Sequence, residues 1–206
     1  MSVSKNPIEK LKYTKEYIRE LLNQASIKNC PKSQIILAQI YFEKNKLKLG
    51  FYWYLRVAEQ GQVTAQYIVA DCYARSYGVE YNMEEAFKWC KKAALQNHRM
   101  AQYQLGSCYE YGKGCDINMK EAYRWYVKAS EQGVLEAHYN LGLIYETGKC
   151  GVKNTIKAVA LYTEAADYGF CKAQYKLGVY NENIGNIPVS FKYYKLAAEQ
   201  NNVNAQ

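Results

Sequence analysis

Cysteine and histidine side chains are the first candidates for chemistry in this chain of 206 residues. The sequence contains seven cysteines and two histidines, His98 and His138. The cysteines stand at positions 30, 72, 90, 108, 115, 150 and 171 and form no Cys-x-x-Cys pair. A structural zinc site needs ligands at short spacings, and these are scattered. We therefore expect no metal ion and no cofactor, and cysteines that mostly pack in the interior.

A catalytic nucleophile needs a base within hydrogen-bond reach and usually a third group that orients the base. Both histidines are expected at the surface. The Ser-x-x-Lys tetrapeptide from Ser2 to Lys5 lacks the Ser-Asp-Asn and Lys-Thr-Gly partners of β-lactam-binding serine enzymes. No Gly-x-x-x-x-Gly-Lys phosphate loop occurs. No catalytic residue is predicted, and Cys115 and Cys150, which fall in predicted loops, are expected to be the more reactive thiols.

The composition indicates a folded chain, because 49% of its residues are hydrophobic. The N-terminus has no apolar signal region, and no window approaches eighteen uninterrupted apolar residues. A cytoplasmic location and no membrane span are therefore expected. The net charge of +8 is uneven, since residues 1–60 hold 11 basic and 5 acidic residues and residues 61–206 hold 16 and 14. The excess of positive charge in residues 1–60 either keeps the chain soluble or attracts an acidic partner, RNA or a membrane surface.

One sequence motif recurs along the chain, and such an internal repeat determines the class of fold. Its copies open with alanine at Ala65, Ala101, Ala137 and Ala173, and a shorter copy opens at Ser33. The predicted units are residues 33–64, 65–100, 101–136, 137–172 and 173–204. Residues 7–32 are interpreted as the second half of a repeat, or a capping helix, and residues 205–206 as the start of a missing repeat.

Each copy begins with a helical pattern. Counting the opening alanine as offset 0, the small or apolar residues fall at offsets 0, 4, 5, 7 and 8, which form one helix face. Glycine stands at offset 5 in three copies, as Gly106, Gly142 and Gly178. A glycine inside a helix costs about 1 kcal/mol relative to alanine. The pattern therefore predicts that a neighbouring helix comes close at this position.

A glycine-containing turn and a second helix follow. Asparagine recurs before the second apolar stretch, as Asn82, Asn118, Asn154 and Asn186, and predicts four N-caps. Pro188 falls in the first turn of the last of these helices, where its missing N–H costs little. The tryptophans of the second helices, Trp53, Trp89 and Trp125, are expected in the core.

These positions together resemble a known repeat. The pattern A-x-Y-x-L-G-x-x-Y-x-x-G-x-G, then N/D-x-x-x-A-x-x-W-Y-x-K-A-A-x-Q-G, is similar to the Sel-one-like repeat, a relative of the tetratricopeptide repeat. The resemblance covers residues 33–204, although the copy from Ser33 lacks the Gly-x-Gly turn and the copy from Ala173 has a shortened one. It implies an all-α fold, a right-handed α/α superhelical solenoid of helix-turn-helix repeats in one array with a concave surface.

The resemblance also implies a function, a non-enzymatic scaffold that binds a protein or peptide on the concave face of the first helices. Offsets 2, 6, 9 and 10 lie opposite the core face, and the tyrosines at offset 2 either contact the partner or only pack adjacent A helices together. The candidate partner-binding residues are Tyr67, Asp71, Arg75, Tyr103, Ser107, Glu110, Tyr111, Tyr139, Leu143, Glu146, Tyr175 and Glu182.

Two other functions are weighed against the scaffold. Nucleic-acid binding is the alternative, because basic and aromatic surfaces hold single strands, but glutamates fall on the candidate face. Hydrolysis of β-lactams, linked to cysteine-rich relatives with paired cysteines in every repeat, is less favoured. Ile144 and Tyr180 replace the cysteines at the positions equivalent to Cys72 and Cys108, so no disulfide ladder is expected.

The second helix of the last repeat would leave its apolar side uncovered, whereas solenoids normally end in a polar capping helix. Either the chain is a fragment of a longer array, or two chains meet at that end, or the exposed side is polar enough to serve as a cap. A monomer or a weak end-to-end dimer is expected, with a fragment or an abrupt native end favoured over dimerisation.

Overall fold

The computed structural model describes residues 14–151 and 153–200, and every regular element in these ranges is an α-helix. The helices are α1 (Lys15–Ser26), α2 (Pro31–Glu43), α3 (Leu47–Glu59), α4 (Val63–Arg75), α5 (Met83–Leu95), α6 (Arg99–Tyr111), α7 (Met119–Glu131), α8 (Leu135–Thr147), α9 (Thr155–Asp167), α10 (Cys171–Asn183) and α11 (Ile187–Glu199). The predicted all-α class with helix-turn-helix repeats is confirmed. Ser2 to Lys5, residues 7–13 of the predicted half repeat, and Ala205 and Gln206 lie outside the described residues.

The helices pack in sequence within two compact units, one ending at His98 and one beginning at Arg99. In the first unit α1 packs against α2, α2 against α3, and so on to α5, and in the second unit α6 to α11 pack in the same consecutive way. Five hairpins result, α2/α3, α4/α5, α6/α7, α8/α9 and α10/α11, which we number as repeats 1 to 5. The first helix of each is called helix A and the second helix B. The alanine that opens the recurring sequence motif is the third residue of its helix A.

The predicted core face of helix A is buried. In repeat 3, Ala101, Leu105, Gly106 and Cys108 are buried, and Tyr109 at offset 8 is half-buried. The three tryptophans of the B helices are buried as expected, with exposed fractions of 5 to 8%. The second helices supply the opposite wall of this core. In repeat 3 it includes Tyr126 and Ala129, which are fully buried.

The glycines at offset 5 allow the two helices of a hairpin to approach each other, as predicted. A Cβ atom added to Gly106, Gly142 or Gly178 would lie 2.7, 2.3 or 2.5 Å from a tyrosine ring of helix B. These rings belong to Tyr126, Tyr162 and Tyr194. Real Cβ atoms do not come this close to another carbon, so glycine is required while the tyrosine stays.

The asparagine caps are confirmed at three of the four predicted positions. Asn82, Asn118 and Asn154 accept a hydrogen bond from the third backbone N–H of the following helix at 3.0, 3.1 and 2.9 Å. The prediction is wrong for Asn186, which makes no such bond. Its φ of −87° differs from the extended −145° of Asn118. The shorter turn of repeat 5 accompanies this difference: the Asn186 N–H donates to the Asn181 carbonyl, five residues back, whereas the Asn118 N–H donates to the Tyr109 carbonyl, nine residues back.

Candidate functional site

The offset-2 tyrosines of the second unit pack on the tyrosines of their own B helices. The ring centroids of Tyr103 and Tyr126 lie 5.8 Å apart. Equivalent pairs in repeats 4 and 5, Tyr139 with Tyr162 and Tyr175 with Tyr194, lie at 5.8 and 5.7 Å. These A-helix tyrosines are half-buried, so each remains partly open to solvent. Each of these tyrosines thus packs on helix B of its own repeat, whereas the alternative weighed from the sequence was packing between adjacent A helices.

The glutamates at offset 9 accept hydrogen bonds from the same B-helix tyrosines. The hydroxyls of Tyr126, Tyr162 and Tyr194 donate to Glu110, Glu146 and Glu182 at 2.8, 2.7 and 2.6 Å. Burial and these hydrogen bonds raise the pKa of each tyrosine, to about 12 for Tyr194. Each hydroxyl thus stays protonated and holds its carboxylate in one place on helix A.

Lysines neutralise two of these three carboxylates. Lys149 Nζ lies 3.4 Å from Glu110, whose side chain is only 9% exposed. Lys176 Nζ lies 2.9 Å from Glu146. Burial raises the pKa of Glu146, but the hydrogen bonds from Lys176 and Tyr162 outweigh it and hold the pKa below its ordinary value. These contacts give Glu110 and Glu146 a role within the scaffold.

The other candidates in the second unit differ in exposure. Ser107 and Leu143 are half-buried, and Leu143 packs against the core of repeats 4 and 5. Tyr111 is exposed at the end of α6. Among the predicted residues of this unit, Tyr111 and Glu182 present the most open side chains.

In the first unit, three predicted residues come together in one cleft. Tyr67, Asp71 and Arg75 follow each other along α4 and face α2 across a cavity of about 440 Å³. Phe42 and Glu43 of α2 form the facing wall. The remaining lining residues are Gln39, Tyr54, Ile68, Cys72 and Tyr77. We call this cavity the α2–α4 cleft.

The interior of the α2–α4 cleft is apolar and its rim is charged. Phe42 and Tyr54 form an aromatic pair with centroids 5.7 Å apart, and Cys72 beside them is buried. Asp71 accepts a 2.7 Å hydrogen bond from Arg75 Nε, and the Arg75 side chain is 60% exposed. Tyr77 adds a ring that is 44% exposed. The cleft can bury an apolar side chain and direct a polar group of the same ligand toward the rim.

Sequence reasoning missed a glutamine contact that recurs along both units. Glutamine at offset 1 is buried in four of the five A helices, as Gln34, Gln66, Gln102 and Gln174. Each accepts a hydrogen bond of 2.6 to 2.8 Å from the glutamine that ends its own B helix. Gln66 and Gln174 also donate to the preceding B helix at the carbonyls of Ala58 and Ala166, both at 3.2 Å. The sequence held a signal for this contact, because glutamine recurs both at offset 1 of helix A and at the end of helix B in the repeated motif.

His138 occupies this glutamine position in repeat 4, and the expectation that it lies at the surface is wrong. Its side chain is 13% exposed, with Nε2 3.2 Å from Glu164 and Nδ1 3.0 Å from the Val134 carbonyl. It is half-buried because it fills the inward site that glutamine fills elsewhere. His98 is half-buried as well and stacks on Tyr67 with centroids 4.6 Å apart.

All seven thiols are free, but only Cys72, Cys90 and Cys108 are buried, and the other four are half-buried. Burial raises the pKa of Cys72 to about 12 and that of Cys108 to about 11. The expectation for the loop cysteines is wrong for Cys150, because burial raises the pKa of its half-buried thiol. Hydrogen bonds from Ser33 lower the pKa of Cys30, which stands just before α2.

Within residues 14–151 and 153–200, no cluster of three histidine, cysteine, aspartate or glutamate side chains could hold a metal ion. No described helix has both the length and the apolar character needed to cross a bilayer.

The profile of the Sel1 repeat family matches this chain five times. The matches cover residues 31–62, 63–98, 99–134, 135–169 and 171–202. They begin at the first residue of each helix A. No curated protein sequence matches the chain.

Solved structures repeat the same architecture. A Sel1 repeat protein from Oxalobacter formigenes is 30% identical with a TM-score of 0.80, and the match covers 92% of this chain and 80% of that one. A protective antigen of uropathogenic Escherichia coli with the same repeat fold is 26% identical with a TM-score of 0.84. That match covers 92% of this chain but only 42% of the antigen, so this chain spans less than half of the antigen's length. An immunity protein from Pseudomonas aeruginosa, 21% identical with a TM-score of 0.55 over 82% of this chain and 67% of its own, shares the fold alone.

Proposed function

This chain belongs to the Sel1 repeat family, and from that membership we propose that it is a protein-binding scaffold whose A helices hold a peptide or protein partner. The single observation that carries the proposal is the α2–α4 cleft. It gathers Tyr67, Asp71 and Arg75 around an apolar interior, where a partner side chain can leave water. Burying an apolar side chain contributes about 1.5–3 kcal/mol, and such anchors dominate the energetics of interfaces.

The partner's anchor is an apolar or aromatic side chain. The cleft interior offers Phe42, Tyr54 and Tyr67, whose rings suit edge-to-face or offset contact with such a group. Arg75 at the rim provides further guanidinium donors beyond the bond to Asp71. A backbone carbonyl or carboxylate next to the anchor would meet them.

Photo-crosslinking tests this proposal directly. A benzophenone amino acid placed at Tyr77, on the cleft rim, should form adducts with a partner in lysate of the native cell or host. The matched position is Tyr81, which is 65% exposed but outside the cleft lining, and it should give none of the same adducts. Identical adducts from both positions would contradict the cleft assignment.

A charge reversal gives a second, independent readout. Arg75→Glu should abolish the Tyr77 adducts, because it sets a third carboxylate beside Asp71 and Glu43. Lys88→Glu is the control, since Lys88 forms a similar surface pair with Glu85 on a B helix, is 61% exposed and lies outside the cleft lining. Both substitutions break one exposed ion pair, worth about 0–1 kcal/mol of stability. Retained adducts with Arg75→Glu would overturn the rim's role.

Nucleic-acid binding, the alternative, rests on the net charge of +8. Glu182 on the last helix A is an exposed candidate whose carboxylate is bonded to the neutral hydroxyl of Tyr194, and such a carboxylate repels a phosphate backbone. The crosslinking experiment separates the two, because adducts with RNA disappear on nuclease treatment and adducts with protein do not.

A further inference from the structure

A second cavity, of about 440 Å³, lies in the second unit and is lined by cations rather than carboxylates. Lys120 and Arg124 extend from α7, and Lys157 extends from α9. Tyr123, Tyr145 and Cys150 complete most of its wall. Among the described lining residues none is acidic, whereas the α2–α4 cleft contains Glu43 and Asp71. The charge of this pocket favours an anion.

The two lysines of this pocket are not required by the scaffold. Both stand in the first turn of a helix, Lys120 in α7 and Lys157 in α9. A positive charge there opposes the helix dipole, and acidic residues are the stabilising choice. The equivalent positions one repeat earlier hold Glu84 and Glu121. The reversal of charge at both positions therefore serves something other than helix stability.

The tyrosines of the pocket add hydrogen-bond donors. The hydroxyls of Tyr123 and Tyr145 lie 2.7 Å apart, and one donates to the other. The second hydroxyl hydrogen is not used by this bond and can donate to a ligand. Their mutual hydrogen bond and burial raise the pKa of Tyr123 to about 12, so the hydroxyl is protonated at neutral pH. The position equivalent to Tyr123 one repeat earlier is Phe87, which has no hydroxyl.

The cations are available to a ligand to different degrees. Arg124 donates to Glu121 at 2.6 Å, and this pair uses only one of its two terminal nitrogens. Lys157 Nζ lies 5.4 Å from the centre of the Tyr145 ring, which directs it over the pocket wall. Neither lysine ammonium lies within ion-pair distance of a carboxylate in the part of the chain that the structure describes.

We propose that this pocket binds a phosphate monoester dianion, held by Lys120, Lys157 and Arg124 and by the free hydroxyl hydrogen of the Tyr123–Tyr145 pair. Two or more cations with neutral donors match the charge and the three acceptor oxygens of such a group. The phosphate belongs either to a phosphorylated side chain of a protein or to a free phosphorylated metabolite. The pocket is separate from the α2–α4 cleft in its lining residues, so it stands or falls independently of the proposed function.

Backbone amide NMR of the full chain tests the site. Titration with inorganic phosphate at low salt should shift the signals of Tyr123, Ile144 and Tyr145, and the affinity should weaken as salt is added. Lys120→Gln and Lys157→Gln should each weaken binding about tenfold, as expected for one charge-assisted hydrogen bond. Lys195→Gln, an exposed lysine on α11 outside the pocket, should leave it unchanged. No shift at the pocket, or wild-type affinity in the variant that combines Lys120→Gln with Lys157→Gln, would overturn the proposal.

The Lys157→Glu variant tests whether loss of phosphate binding could come from unfolding of the protein. It installs the residue type found at the equivalent Glu121 and Glu85, so its melting temperature should equal or exceed that of the wild type. Phosphate binding should nevertheless be lost. A variant that is as stable and still binds phosphate contradicts the site.

Three further ligands identify the source of the phosphate. They are a capped pentapeptide with a central phosphoserine, the same peptide with serine, and glucose 6-phosphate. Tighter binding of the phosphopeptide than of the sugar phosphate supports a phosphorylated protein partner, and the reverse order supports a metabolite. Equal binding of the serine and phosphoserine peptides, together with no binding of glucose 6-phosphate, would overturn the role of the phosphate.

Discussion

The hydroxyl of Tyr126 on α7 donates a 2.8 Å hydrogen bond to Glu110 Oε2 on α6, and this pair joins the two helices of repeat 3. Tyr162 with Glu146 and Tyr194 with Glu182 repeat it in the next two hairpins. The three glutamates differ in surroundings, from nearly buried at Glu110 to exposed at Glu182. The same type of tyrosine–glutamate hydrogen bond therefore occurs three times in this protein, each time with a different exposure to solvent.

Tyr126→Phe should lower the free energy of unfolding by about 2 kcal/mol, because it leaves a nearly buried carboxylate without its hydroxyl donor. Tyr194→Phe should cost less than about 1 kcal/mol, since water replaces the lost donor at exposed Glu182. Urea unfolding of both variants measures the difference. Equal losses would mean that burial of the carboxylate does not set the strength of this bond.

Gly142→Ala should destabilise repeat 4 despite the better helix propensity of alanine. The gain of about 1 kcal/mol from propensity is outweighed by the overlap with the Tyr162 ring, for which overpacking costs about 1–3 kcal/mol. Repeat 2 holds Ala70 and Cys90 at the equivalent positions. In a Tyr162→Cys background the same Gly142→Ala change should therefore become neutral or stabilising. A loss of equal size in both backgrounds, measured by a double-mutant cycle, would refute the contact.

Asn118→Ala should cost about 1 kcal/mol of unfolding free energy, because the Asn118 side chain caps α7. Asn186→Ala should cost only a few tenths of that, since Asn186 does not cap α11. Thermal unfolding of the two variants makes a matched comparison of the same residue type at equivalent positions. A larger loss for Asn186→Ala would show that the short turn depends on its side chain in another way.

Stability should fall as the pH rises above about 8.5, where a thiol of the unfolded chain loses its proton. The buried thiols of Cys72 and Cys108 keep their protons up to a pKa of about 12 and about 11. The folded state then binds more protons than the unfolded state, and each thiol contributes a fall of about 1.4 kcal/mol per pH unit. Cys72→Ala should reduce this slope between pH 9 and pH 10.5 by that amount.

Cys30→Ala is the control for the alkaline slope. The pKa of Cys30 is lowered in the folded state, so the folded thiol releases its proton before the unfolded one does. Its contribution to stability therefore grows with pH through the window below the unfolded pKa, and is complete above it. Removing this thiol should leave the fall above pH 9 in place. A slope unchanged by Cys72→Ala and reduced by Cys30→Ala would reverse the assignment.

His138→Gln with Tyr168→Gln should restore to repeat 4 the glutamine contact of the other four repeats. The expected gain is about 1 kcal/mol, the net value of one hydrogen bond, offset in part by loss of the His138 contact with Glu164. Each single variant should gain less, because one glutamine then lacks its partner. A melting temperature for the double variant no higher than that of either single variant would show that the histidine is the better fit.

The sequence alone determined the helices, their pairing and most of the core. Small and apolar residues at fixed offsets place one face of each helix A inward, and glycine at offset 5 correctly predicted close packing before any partner ring was known. Local signals sufficed here because caps, turns and helical periodicity act within a few residues of the chain. Asn186 failed because the same residue type stands in a shorter turn with different backbone angles.

Only the tertiary structure decided what the surface residues do. Asp71, Glu110 and Glu146 were all candidates for partner contact, yet one lies at a cleft and two hold tyrosine hydroxyls. The basic pocket joins residues of α7 with residues of α8 and α9, and no single repeat shows it. Repetition reveals which positions the scaffold shares, whereas side chains from successive helices meet only after the helices stack. The distances between them therefore follow from packing, not from spacing along the chain.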